Sequence, residues 1–204
     1  MPLKTNNPEI DRYDVTVSVP TALDYIDKNQ TLSHLVEYHQ MPFTLFGYGD
    51  SANVEGGVVS WNFFEMLGIR PMLGRTFLPG EDEAGAKPVI VLSHHYWLEK
   101  FGGDPDVVGI SLEMSDKVIQ IVGVLPPLPA YPFENDIWMG SSSCDGRGSD
   151  MFIGQRDKPI SSLYGKLKPG ISLQNASLDI NTISSQLVTE YPDAYPASQG
   201  LSNT

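Results

Sequence analysis

The chain has 204 residues, of which 41% are hydrophobic, and 25 acidic against 13 basic residues give a formal net charge of −12. A chain of this length buries roughly 70% of its unfolded surface without a disulfide or metal, and the one cysteine, Cys144, cannot form an internal disulfide. The negative charge repels phosphate backbones and anionic lipid headgroups, which argues against nucleic acid as a partner. No run approaches the roughly 18 to 20 apolar residues of a membrane helix.

The first predicted element is a strand over residues 13–19, where valines alternate with polar side chains. A helix follows from Pro20 to about Asn29, and Leu23 and Ile26 define its apolar side. From residue 32 to residue 59 the apolar runs are short and are interrupted by proline and glycine, which predicts two or three strands with turns.

The stretch from Val58 to Pro127 predicts a compact α-β-α-β-β unit. Its first helix is aromatic and ends at Gly68, because glycine adopts the left-handed conformation of a helix terminus. Ser93 is placed to cap its second helix. The remaining predicted elements of this unit are the strand Val89–Leu92, the helix His94–Phe101 and the strands Ile110–Met114 and Val118–Val124.

The last third begins with a connector rich in proline and aromatic residues, over residues 126–133. A short strand is predicted over residues 136–139, and the Ser/Gly/Asp-rich segment 140–157 is expected to be a mobile loop. A strand over residues 160–168 then precedes the longest predicted helix, which Ser172 caps and Pro192 ends. A middle unit flanked by a strand-helix start and a strand-helix finish indicates one small domain inserted into another.

The order of short motifs resembles the MacB-like periplasmic core domain, which is the extracytoplasmic part of MacB/FtsX-type permease subunits of ABC transporters. The similarity spans roughly Val17 to Tyr191. The motifs that carry it are Val59-Ser60-Trp61-Asn62-Phe63-Phe64, Leu67-Gly68-Ile69-Arg70-Pro71, Leu73-Gly74-Arg75-Thr76-Phe77, Val89-Ile90-Val91-Leu92-Ser93, Phe101-Gly102-Gly103-Asp104-Pro105, Val122-Gly123-Val124 with Pro126-Pro127, and Leu167-Lys168-Pro169-Gly170-Ile171-Ser172.

The resemblance implies an α/β (α+β) fold in which a discontinuous, porter-like two-layer βαβ subdomain is interrupted by a small inserted α/β, Sabre-like subdomain. Residues 13–57 and 136–191 would form the porter-like subdomain, and residues 58–128 would form the insert. The ends, residues 1–12 and 192–204, are expected to be disordered.

The same resemblance implies a function outside the membrane. The chain would be the extracytoplasmic, periplasmic domain of an integral membrane permease in a bacterial cell, coupling cytoplasmic ATP hydrolysis to movement, in efflux or mechanotransmission. Its expected partners are a second permease copy, a cytoplasmic ATPase subunit and, as a further candidate, a periplasmic adaptor protein. ATP would bind a separate ATPase subunit or domain, so no cofactor is expected in this chain. The alternative is a free-standing periplasmic ligand-binding or adaptor module.

No catalytic, cofactor or metal residue is predicted. Ser93-His94-His95 lacks the Gly-x-Ser-x-Gly elbow of a hydrolase, and Ser93 is better explained as a helix cap. The four histidines show no zinc-site spacing, and Glu81-Asp82-Glu83 lacks the order of a calcium loop. Aromatic residues on the two short helices could line a groove, although a shared core explains their spacing better. The candidate partner contacts are Trp61, Tyr96, Tyr131 and Phe133.

Overall fold

A computed structural model describes residues 16–83, 85–144, 149 and 151–195. The chain divides into two compact units at residues 37/38 and 148/149. We call residues 38–148 the central unit and the remainder the terminal unit. The helices are α1 (Val19–Lys28), α2 (Phe63–Leu67), α3 (His94–Phe101) and α4 (Leu173–Glu190). The strands are β1 (Thr16–Val17), β2 (Leu32–Phe46), β3 (Ala52–Val59), β4 (Leu73–Gly74), β5 (Val89–Leu92), β6 (Ser111–Met114), β7 (Lys117–Val124), β8 (Ile137–Gly140) and β9 (Ser161–Leu167).

The terminal unit packs α1 and α4 on the strands β1 and β9 and the first part of β2. Ser18 and Ser172 begin the two helices, because each side chain accepts a hydrogen bond from a backbone N–H three residues ahead. The buried side of α1 consists of Val19, Thr21, Ala22 and Tyr25. The prediction that Leu23 and Ile26 form this side is wrong, since Leu23 is 53% exposed.

In the central unit the strand pairings form a circuit. Strand β2 pairs with β3, β3 with β8, β8 with β5, β5 with β7 and β7 with β6, and β6 returns to the end of β2 through Leu45 and Phe46. Apolar residues from alternate strand positions meet inside this circuit, where α3 adds Tyr96, Trp97 and Phe101. We call this cluster the inner core.

The predicted mixed α/β fold is confirmed, and most predicted elements lie within a residue or two of the observed ones. None of the helices in the described ranges combines the length and apolar character that crossing a membrane requires. The predicted porter-like and inserted subdomains stay a prediction. The contact-based units divide the chain elsewhere, since β8 lies between β3 and β5 in the central unit.

Several predicted irregular segments are covered in part. Residues 1–12 and 196–204 lie outside the described residues, as do 145–148 and 150 of the predicted mobile loop 140–157. The start of that loop is packed, because Gly140 ends β8 and Cys144 is 1% exposed.

Candidate functional site

A groove of about 400 Å³ opens on the side of the central sheet opposite the inner core. This volume lies within the range of small-molecule sites, roughly 300 to 1,000 Å³. Apolar and aromatic side chains provide most of the lining, and we call the site the aromatic groove. Its lining comes from α2, the start of α3, the connector and β8: Phe63, Phe64, Leu67, Ile69, Ser93, His94, His95, residues 125–131, Phe133, Glu134, Asn135 and Trp138.

The floor of the groove is a set of rings in mutual contact. The rings of Phe63 and Trp138 stack with centroids 5.3 Å apart, and Phe64 meets Trp138 edge to face at 5.4 Å. Tyr38 from β2 stacks on Phe63 and on Phe133. Offset-stacked and edge-to-face pairs are the arrangements that aromatic rings prefer, so this floor is held by ring contacts as well as by burial.

Gly57 in β3 leaves the room that the Trp138 ring occupies. These two residues are partners in the parallel pairing of β3 with β8. A Cβ atom at position 57 would lie 2.6 Å from Cε3 of Trp138. The missing side chain therefore allows the indole to lie flat over the neighbouring strand.

Hydrogen bonds to β2 fix the connector that forms the wall of the groove. The Gln40 side-chain amide donates to the Glu134 carbonyl oxygen at 2.7 Å and to Asn135 Oδ1 at 3.1 Å. Asn135 Nδ2 donates to the Phe133 carbonyl oxygen at 3.0 Å and reaches the Tyr38 hydroxyl at 3.4 Å. Burial of the Tyr38 hydroxyl raises its pKa above the ordinary 10.0, although the bond from Asn135 works in the opposite direction. The wall is thus anchored at its end near β8.

Ser93, His95 and Asp136 meet at the end of the groove, a combination that sequence spacing did not predict. His95 Nε2 lies 2.8 Å from Asp136 Oδ1, and Ser93 Oγ lies 3.1 Å from His95 Nδ1. The same Oγ is 3.5 Å from Nε2. An oxygen in line with the lone pair of one ring nitrogen would be much farther from the other nitrogen, so this hydroxyl is not aligned for proton transfer to the ring.

The other bonds of these residues explain the contact as a structural link. Ser93 Oγ accepts the backbone N–H of Tyr96 and caps α3, as predicted. Asp136 Oδ2 accepts the backbone N–H of Glu55 at 2.8 Å, and the Asp136 carbonyl oxygen accepts the N–H of Ser93 at 2.9 Å. Asp136 therefore joins β3, α3 and β8, and its carboxylate is occupied on both oxygens.

The candidate contact residues occupy different environments. Tyr131 and Phe133 are 41% and 47% exposed on the connector, and Trp61 is half-buried before α2. Tyr96 is 7% exposed and contributes to the inner core, so its ring cannot form a contact surface, and its inclusion is a correction. Trp138, which the sequence placed only in a short strand, is a groove residue that local patterns could not identify, because its neighbours come from four separate elements.

The acidic loop uses its carboxylates within the chain. Glu81 forms a bidentate pair with Arg75 at 2.8 and 2.7 Å, and Asp82 accepts the backbone N–H of Trp61 at 3.0 Å. Across the described ranges, His, Cys, Asp and Glu side chains do not gather in threes as metal ligands.

The family model described as MacB-like periplasmic core domain matches residues 5–183. The chain belongs to this family. The match covers both units, including β8 and the helix-capping serines Ser18, Ser93 and Ser172.

Solved structures of this MacB-like domain's fold are similar over most of the chain. The periplasmic region of MacB from Actinobacillus actinomycetemcomitans gives a TM-score of 0.66 at 10% identity, covering 94% of this chain and 82% of that one. A domain assigned to a permease protein from Porphyromonas gingivalis gives 0.64 at 16% identity, covering 91% and 77%. The extracellular domain of the noncanonic ABC-type transporter YknZ from Gram-positive bacteria gives 0.62 at 11% identity, covering 94% and 91%. Among curated proteins, none matches the chain.

Proposed function

We propose that this MacB-like domain is the extracytoplasmic part of an ABC transporter permease subunit and transmits movement that ATP hydrolysis drives elsewhere in the transporter. The observation that carries the proposal is the family match over residues 5–183, which includes both compact units. ATP would bind a separate ATPase subunit or domain, and a second permease copy would be the principal partner. In this function no residue of the chain is catalytic.

The build of the central unit supports a mechanical role. Its strands pair in a circuit around the inner core, so a force applied at one strand is carried by backbone hydrogen bonds to the others. A packed core deforms little, and such a unit moves as a body.

The contact surface that we propose is the rim of the aromatic groove. Tyr131 and Phe133 are exposed there, on a connector whose end is already tied to β2. A wall that is already ordered loses little conformational entropy when a partner binds it, and aromatic side chains are enriched at such interfaces. Trp61, on the segment before α2, is the third candidate. An adaptor protein or the second permease copy would bind this rim.

The proposal is tested in the complete permease with its ATPase. The coding sequence around the chain is expected to encode flanking membrane helices, and Tyr131→Cys carries a spin label in a Cys144→Ser background. The distance between labels on the two copies is measured without nucleotide, with a non-hydrolysable ATP analogue and after hydrolysis. Met151→Cys, which is exposed in the terminal unit, reports a second distance.

Changes of several ångströms between nucleotide states, absent with a hydrolysis-deficient ATPase, would support the proposal. Equal distances in all states at both positions would overturn the mechanical role. A free-standing reading frame of about this length, without membrane helices or an ATPase, would overturn the assignment to a permease.

The second candidate function is a free-standing ligand-binding or adaptor module, which the groove volume of about 400 Å³ favours. Its test is titration of the chain with N-phenyl-1-naphthylamine, an apolar fluorescent probe, while the fluorescence of Trp138 is followed. Saturable 1:1 binding that Phe133→Ala weakens and Leu178→Ala leaves unchanged would support it. Leu178 is the matched control, because it is exposed on α4 in the terminal unit. Non-saturable partitioning would contradict it.

A further inference from the structure

Three side chains with metal-binding atoms meet in the central unit, away from the aromatic groove. His39 Nε2 lies 3.4 Å from Cys144 Sγ, and Cys144 Sγ lies 3.3 Å from the thioether sulfur of Met41. Cys144 is 1% exposed and His39 is 9% exposed. We call these residues the Cys-His-Met cluster.

The strand register brings the cluster together. His39 and Met41 are alternate residues of β2, so their side chains are on one side of the sheet. Their partners in β3 are Val58 and Gly56. Val58 belongs to the inner core and Met41 packs against it. Cys144 follows the short 3-10 helix after β8 and enters the same core, about a hundred residues from β2, which is why no spacing motif marks the site.

We propose that His39, Met41 and Cys144 bind one soft monovalent metal ion, Cu(I). A thiolate, a thioether and an imidazole are the ligands that Cu(I) prefers, whereas calcium and magnesium require oxygen. Zinc binds thiolate and imidazole but takes carboxylates rather than thioethers as further ligands. Carboxylates do not complete a group of three here among the described residues.

The separations of the donor atoms suit a bound ion. With a metal–sulfur length of about 2.3 Å and a metal–nitrogen length of about 2.0 Å, tetrahedral angles place nitrogen and sulfur about 3.5 Å apart and two sulfurs about 3.8 Å apart. The observed separations are 3.4 and 3.3 Å. Small side-chain rotations therefore open the cluster to hold the ion, and β2 and β3 keep their pairing.

Charge selects the oxidation state. A monovalent ion with one thiolate, one neutral imidazole and one thioether forms a site of zero net charge. A divalent ion with the same ligands would leave one positive charge in the inner core, and burying an unpaired charge is costly. In the binding step the Cys144 S–H bond breaks, its proton leaves to solvent and an S–Cu bond forms, while the metal remains Cu(I) throughout.

Met41 provides the entry to the site. Its side chain is only partly buried, whereas Cys144 and His39 are buried beneath it. The flexible and polarisable thioether can bind the ion at the surface and pass it inward to the thiol. Met41 is therefore an affinity-determining residue, and not simply part of the packing.

The test uses the complete chain, reduced and kept without oxygen, with Cu(I) supplied as its bicinchoninate complex. Transfer of Cu(I) from the coloured chelator gives the affinity and stoichiometry, and the ultraviolet charge-transfer band reports the Cys–Cu bond. One Cu(I) per chain is expected. Cys144→Ser should abolish the band, and Met41→Leu and His39→Gln should each weaken binding by at least about tenfold.

Met114→Leu is the matched control, because Met114 is buried in the same core but belongs to β6. It should bind Cu(I) as the unchanged chain does. Leucine nearly conserves the volume of methionine, so Met41→Leu is expected to fold even where Cys144→Ser does not, and circular dichroism verifies folding. The proposal is overturned by the lack of saturable 1:1 binding, or by unchanged affinity in both Met41→Leu and His39→Gln, which would indicate binding by the thiol alone.

Discussion

The two sides of the central sheet are filled in different ways. The inner core is closed by strands and by α3, and residues such as Ile90, Leu92 and Ile121 have no solvent exposure. The opposite side is covered by the short helix α2 and by a connector with proline but no regular structure, and it retains a groove of about 400 Å³. A helix packs continuously along a sheet, whereas a short helix and a loop leave gaps between their side chains. The incomplete cover is therefore what creates a site.

The largest expected effect is in the inner core. Ile121→Ala removes a fully buried side chain from β7 and should lower the free energy of unfolding by about 2 to 5 kcal/mol. Leu128→Ala, at the exposed wall of the groove, should change it by about 0.5 kcal/mol or less. Urea denaturation measures both values. Equal losses would mean that the connector is as well packed as the inner core, and the contrast between the two sides would fail.

An intermediate effect is expected at the floor of the groove. Phe63→Leu keeps an apolar side chain of similar size but removes the ring contacts with Trp138 and Tyr38, so we expect a loss of about 1 to 2 kcal/mol. Phe101→Leu is the matched change in the inner core, where Phe101 contacts the ring of Tyr48 at 4.5 Å. The two losses in chemical denaturation should be similar. Only Phe63→Leu should alter binding of an apolar probe, and an effect of both variants on probe binding would contradict this.

The smallest effect at neutral pH is expected for Tyr96→Phe. Burial raises the pKa of Tyr96 from 10.0 to about 12, with further contributions from the negative charges of Asp136 and Glu99. Because the folded chain holds this proton to higher pH than the unfolded chain, the resulting stabilisation is complete below pH 10 and is lost as the pH rises through about 12.

Tyr96→Phe should therefore lose less stability between pH 10 and pH 12 than the unchanged chain does. Tyr38→Phe is the counterpart on the groove side, where burial also raises the tyrosine pKa. Urea denaturation at several alkaline pH values gives both slopes. A slope for Tyr96→Phe that equals that of the unchanged chain would show that this phenol titrates alike in both states.

The sequence predicted those elements whose signals are local. Ser93 and Ser172 begin α3 and α4 as capping residues should, and Gly68 ends α2 in the left-handed conformation with φ 71°. The run Val89–Leu92 is a strand with the predicted bounds. These features depend on a few adjacent residues, so the pattern along the chain contains the necessary information.

The pairing of distant elements could not be predicted in the same way. The pattern of β8 indicates a strand but not its position between β3 and β5, and the groove depends on that position because it carries Trp138. In α1 two apolar residues on the wrong side misled the prediction, since the small side chain of Ala22 and the ring of Tyr25 face the core instead. The contact of His39 with Cys144 joins residues about a hundred positions apart. Local patterns hold no information about such contacts.

The absent side chain of Gly57 has a practical consequence for anyone who wishes to alter the groove. A single methyl group added there would meet the Trp138 ring from below, at 2.6 Å from Cε3 and 2.7 Å from Cζ3, with Asn135 Cγ at 3.1 Å. The indole would have to shift toward the opening, while Tyr131 and Phe133 at the rim keep their chemistry. Position 57 is thus a handle for tuning the depth of the groove separately from its surface, and a graded series of small side chains there would distinguish partners that insert into the groove from partners that rest on its rim.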